Sequence, residues 1–105
     1  MATYIALVNF TDQGVRQIRQ TTERAKTLIN AAAHLGITIK DIYWTMGAFD
    51  AVFTAEAADD DTIMAFAASM GSLGNIRTQT MRAFTAAEMS KILEKVPAGN
   101  FASPK

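Results

Sequence analysis

No cysteine occurs among the 105 residues. That absence excludes disulfides, thiolate nucleophiles and zinc–thiolate sites together, and it fits a reducing cytosol. Histidine is almost as scarce, with His34 alone, so a transition-metal site within one chain and a Ser-His-Asp triad have little to draw on, and no nucleophile-elbow motif accompanies it. His34 instead reads as a dipole partner near a helix C-terminus. No metal and no cofactor are implied. Charge of one sign is missing too: ten basic and ten acidic side chains cancel, and no basic run carries interleaved aromatics, so nucleic acid is not an expected partner. No apolar run reaches the length of a membrane span, and the start lacks the charged-then-apolar pattern of a signal peptide. A soluble cytoplasmic protein with no membrane partner is the expectation.

What is present is hydrophobic surface. Half of the residues are apolar, which is high for a chain that fits one modest domain, and it points to burial beyond an internal core. Residues 1–96 read as that domain, and residues 97–105 as a flexible C-terminal tail.

Residues 3–10 form a strand with two apolar faces, Tyr4, Ala6, Val8 and Phe10 on one and Ile5, Leu7 with Asn9 on the other. Val15, Ile18, Thr22, Ala25, Leu28 and Ala32 then recur at helical spacing, with Thr11 or Asp12 as cap, Gly36 as the stop and an Arg19–Glu23 pair on the solvated side. The run from Tyr43 to Phe53 reads as a hairpin. A two-residue Gly47-Ala48 turn pairs Met46 with Phe49, Thr45 with Asp50, Trp44 with Ala51, Tyr43 with Val52, Ile42 with Phe53 and Asp41 with Thr54. Asp59, Asp60 and Asp61 suit a helix start, where the dipole favours negative charge; three consecutive residues cannot all converge on one cation. Ile63, Phe66, Met70 and Leu73 supply that helix's apolar stripe, and the Gly71–Gly74 stretch is its stop rather than a phosphate loop, since it lacks the lysine and glycine spacing. A fourth strand covers residues 75–84. Thr85 to Glu88 matches a capping box, followed by a buried stripe of Met89, Ile92, Leu93 and Val96 that Pro97 ends.

The order β-α-β-β-α-β with a terminal helix predicts an α+β, ferredoxin-like sandwich with strand order 4-1-3-2. Two helices cover one face of such a sheet. The other face stays apolar whichever way the first strand points, so two copies are expected to pack open face to open face as a dimeric α/β barrel enclosing a pocket. Alternation places Tyr43, Thr45, Asp50, Thr54 and Glu56 on that open face, and assigning Thr78, Thr80 and Arg82 to it as well, with Asn9 nearby, gives a polar set. An arginine beside carboxylates could bind a carboxylate or enolate oxygen, and a carboxylate there could accept a proton. Against this, Arg82 with Asp50 or Glu56 reads more simply as an interface ion pair, Tyr43 as an interface side chain, and the threonines as strand formers.

Three motifs carry a family resemblance: Tyr4-Ile5-Ala6-Leu7 with Phe10-Thr11-Asp12-Gln13-Gly14, the run Tyr43 to Asp50, and the run Gly74 to Phe84. Together they resemble the GYD domain family. The resemblance implies a small bacterial protein of the dimeric α/β-barrel superfamily whose biochemical role is largely uncharacterised. It places the namesake motif on Gly47, Phe49 and Asp50, with Phe49 where a tyrosine usually stands, and adds Arg77 and Thr80 through the last-strand motif. The candidate ligand-binding residues are therefore Asn9, Tyr43, Thr45, Asp50, Arg77, Thr78, Thr80 and Arg82. Two functions stay open. One is a homo-oligomeric binding or structural module whose inter-sheet pocket takes a small apolar or carboxylate-bearing ligand. The other is a cofactor-independent isomerase or oxygenase with Asp50 as base and Arg82 or Arg77 stabilising an oxyanion.

Overall fold

The structure, a computed structural model, describes residues 1–99; the last part of the expected tail, residues 100–105, lies outside them. Four strands, β1 (Ala2–Phe10), β2 (Thr38–Trp44), β3 (Ala51–Ala57) and β4 (Ile76–Ala83), form one sheet in the order β2-β3-β1-β4. Every neighbouring pair is antiparallel. This is the ferredoxin-like arrangement expected from the element order.

The long first helix is divided. Thr11 caps α1 (Asp12–Arg16) by accepting from the Gly14 N–H, a 3-10 turn spans Ile18–Gln20, and α2 runs Thr21–His34. Gly14 fixes where α1 sits, because a Cβ there would collide with the Asn75 carbonyl oxygen. Gly36, at φ 79°, turns the chain after α2 as a left-handed glycine should. On the solvated side the ion pair is Lys26 with Glu23 at 3.4 Å, not Arg19 with Glu23. The His34 Nδ1 lies 2.8 Å from the Asn30 carbonyl oxygen one turn back.

Asp59 caps α3 (Asp60–Ser72), accepting from the Thr62 N–H at 2.9 Å and its hydroxyl at 2.7 Å. Those bonds, the hydroxyl's foremost, hold the Asp59 carboxyl below the usual carboxylate range. The capping box at α4 (Ala86–Leu93) is present in both directions, with Glu88 N–H to Thr85 Oγ1 at 3.1 Å and Thr85 N–H to Glu88 Oε1 at 2.8 Å.

The core lies between the sheet and helices α2 and α3. Tyr4, Ala6, Val8, Phe53, Ile63, Phe66, Met70 and Ile76 are buried there. Alanines 51, 55 and 57 of β3 are buried on the same face, where small side chains let the helices approach the strands. The stripe of α4 does not join this core. Met89, Leu93 and Val96 are 45%, 54% and 57% exposed, so the amphipathic face of α4 is left uncovered by the described residues.

Candidate functional site

The hairpin register came out as expected from Asp41↔Thr54 through Trp44↔Ala51, with a bulge between Ile39 and Asp41. The tip did not. Asp50 N–H turns away to the Val8 carbonyl at 2.8 Å while its carbonyl still accepts from Thr45 N–H at 2.9 Å. The ladder therefore closes at Thr45 and Asp50, and residues 46–49 form a wider loop in which Gly47 takes φ 113° and Met46 is wholly exposed.

Cross-strand register defines the open face. One row runs Tyr43, Val52, Leu7, Gln79, and the next Asp41, Thr54, Ile5, Met81. Ile5, Leu7, Val52, Thr54 and Glu56 are half-buried, while Tyr43 and Met81 are 62% and 43% exposed. The Thr54 hydroxyl donates to Asp41 Oδ2 at 3.3 Å. Asn9 pairs with Arg77 on this face, near the hairpin end. An apolar strip of Ile5, Leu7, Val52 and Met81 thus crosses three strands, flanked by Tyr43 and a thin polar border.

Three of the expected open-face residues are elsewhere. Thr78, Thr80 and Arg82 oppose Val8, Ala6 and Tyr4, all buried under the helices. The parity of β4 is set by its one buried anchor, Ile76. Residues 78, 80 and 82 share its side at two-residue spacing, which turns Met81 outward. Reading polarity alone inverts this strand, because its helix-side residues after Ile76 are polar and Met81 and Ala83 are not.

Nor do Asp50 and Arg82 converge. Asp50 Oδ2 accepts from the Phe10 N–H at 2.8 Å, so its carboxylate stands in for a backbone acceptor at one end of the sheet. Arg82 lies at the other end, opposite Tyr4, donating to the Thr3 carbonyl at 3.2 Å and to that of Ala83, with Glu88 Oε2 at 3.9 Å. The expected ion pair with Asp50 or Glu56 is replaced by a tie between β4 and α4. Arg77 shares Asp50's end of the sheet, but its guanidinium donates to the carbonyls of Ile76 at 2.9 Å and Gly71 at 3.2 Å. The Thr45 hydroxyl donates to the Phe49 carbonyl at 2.6 Å, bracing the tip. Within one chain, these side chains hold the scaffold rather than aim at a common point.

The space left beside the core is apolar. A cavity of about 60 Å³ between α2, α3 and the sheet is walled by Leu28, Ile29, Phe66, Met70, Phe53 and Trp44. The Trp44 indole N–H donates to Thr21 Oγ1 at 2.9 Å beside it. Among the described residues, no group of three or more His, Cys, Asp or Glu is placed to hold a metal, and no helix is long and apolar enough to cross a membrane.

Comparison with known proteins adds three findings. The sequence model of the GYD domain matches residues 4–93. A Thermus thermophilus protein named glutamine synthetase and cystathionine beta-lyase binding protein is 28% identical over 90 residues, covering 85% of this chain and 95% of its own. The crystal structure of TTHA0845, also from Thermus thermophilus, superposes with a TM-score of 0.52 at 23% identity, covering 82% of this chain and 96% of that one, which supports the fold.

Proposed function

The chain belongs to the GYD domain family, and from that premise we propose that it is a non-catalytic binding module that pairs with a second copy and docks onto other proteins. One observation carries the reading: the strip of Ile5, Leu7, Val52 and Met81 lies on a sheet face that none of the described elements covers. Each large apolar side chain left in water forgoes roughly 1.5–3 kcal/mol, and a second copy offers the same strip in return, as a two-fold interface requires. The uncovered stripe of α4 extends the apolar surface available to partners. Space between two such faces would suit a small apolar or carboxylate-bearing ligand, with Asn9, Tyr43 and Arg77 at its border and Thr45 and Asp50 at its hairpin end.

The name of the Thermus thermophilus relative supports protein partners, since it describes binding to two enzymes. Enzymes of these two kinds are the first partners to try. The test is sedimentation velocity of the purified chain at micromolar concentration, alone and then with purified glutamine synthetase or cystathionine beta-lyase from the same source. A dimer that co-sediments with either enzyme supports the reading. A stable monomer at that concentration overturns it, and a dimer that binds neither enzyme overturns its choice of partners.

A further inference from the structure

The apolar cavity between α2, α3 and the sheet arises from the way α2 is held. Thr21, Ala25, Leu28 and Ile29 recur at helical spacing, so they share one face of α2, and all four line the cavity. Each of them is only half-buried, whereas Ala32, nearer the C-terminal end of the helix, is fully buried. The helix is thus anchored at its end, where Ile37 follows as a second buried residue, and stands off the sheet at its beginning. Small side chains widen the gap, because Ala25 on α2 and Ala51 on β3 both end at Cβ. We infer that this cavity is a ligand site, which takes the short alkyl end of a small uncharged molecule.

The chemistry of the wall selects that class. Only Thr21 and Trp44 bring a side-chain nitrogen or oxygen to the lining, and they satisfy each other, the indole N–H donating to Thr21 Oγ1 at 2.9 Å. A water molecule held there would need about two to four polar partners and meets a wall whose polar groups are already engaged. A charged group would give up its hydration for nothing in return. A hydrocarbon sacrifices no hydrogen bond on entering, and it supplies the dispersion contacts that Leu28, Phe53 and Met70 lack on their cavity side.

Size narrows the class further. The cavity's volume of about 60 Å³ is about twice the share of one water molecule in the liquid, and well below the roughly 150 Å³ of an apolar cavity that admits benzene. A propyl or isopropyl group fits, and an aromatic ring does not. Sites that enclose a whole small molecule are larger, at about 300–1,000 Å³. This one therefore holds an end, with the remainder of the ligand reaching solvent beside Trp44, which is 42% exposed. The cavity is on the helix side of the sheet, so its occupation is independent of whether the opposite face pairs with a second copy.

The test is methyl-resolved NMR of the full chain, following Leu28, Ile29 and Met70 while propane is added under pressure. Propylammonium chloride and benzene are titrated separately. Saturable shifts are expected with propane and none with the other two. So few atoms bind weakly, and a dissociation constant no tighter than about millimolar is expected. Ala25→Leu places an isopropyl group in the cavity from the helix side, which should abolish the propane response and raise the melting temperature. Ala51→Val, a smaller filling from the sheet side, should weaken the response and serves the same purpose if leucine overpacks the site. Shifts that never saturate, an equal response to propylammonium or benzene, or folded variants that bind propane unchanged would overturn the proposal.

Discussion

On its helix-covered face β3 presents Ala51, Phe53, Ala55 and Ala57, all buried, whereas the same strand turns Val52, Thr54 and Glu56, all half-exposed, to the other side. β1 makes the contrast sharper, with Tyr4, Ala6 and Val8 under the helices and Ile5 and Leu7 opposite. One face is finished within the chain. The other is as apolar in its centre, yet none of the described elements covers it, and on the proposed reading a second copy would.

The largest expected effect falls on the finished face. Phe66→Ala should cost about 3–5 kcal/mol in urea unfolding, because a ring buried between α3 and the sheet leaves a cavity. On the open face, Leu7→Glu should scarcely change unfolding of the dilute chain. It should weaken self-association by about 1.5–3 kcal/mol, roughly ten- to a hundred-fold in dissociation constant by sedimentation. If Leu7→Glu instead unfolds the isolated chain, the two faces are not energetically separate.

A smaller effect is expected where the faces meet. Asp50→Ala strands the Phe10 N–H and should cost about 1–3 kcal/mol, while Asp50→Asn keeps an acceptor and should stay near wild type. Equal losses would mean that the charge, not the hydrogen bond, matters at that strand end.

The smallest effect is a pH slope. Asp59 has its carboxyl lowered in the folded chain, first by the Thr62 hydroxyl and then by the Thr62 N–H. Its stabilisation is therefore complete above the ordinary aspartate pKa of about 3.9 and is lost as pH falls through the lowered folded value. Glu88, lowered chiefly by the Thr85 N–H, behaves likewise at α4. Asparagine caps as well as aspartate without titrating, so Asp59→Asn should flatten the acid limb of a melting-temperature profile and leave neutral pH nearly unchanged.

Much of the fold was legible because its signals were redundant. Ile42, Trp44 and Phe53 alternate strongly enough to fix the hairpin register, and Thr85 with Glu88 spell out a cap that the structure reproduces. The tip was not, since Gly47 permits a two-residue turn while the contact that decides otherwise, Asp50 N–H to Val8, joins segments far apart in sequence. β4 misled for a different reason. Its helix-side positions after Ile76 are Thr78, Thr80 and Arg82, and the anchor that gives their parity sits at the strand's first residue. The α4 stripe was read correctly as apolar but wrongly as buried, because periodicity says that a face wants cover and not whose.

The division of labour at Asp50 also leaves a practical opening. Its peptide N–H and carboxylate both hold β1, at Val8 and Phe10, while its carbonyl accepts from Thr45 at the end of β2, so the loop between Thr45 and Asp50 hangs outside the grip. Extra residues spliced in beside Met46 would lengthen a bare promontory without shifting a single strand. That makes the spot a natural perch for a fluorophore or affinity tag that reports on the protein while its flanks keep their own company.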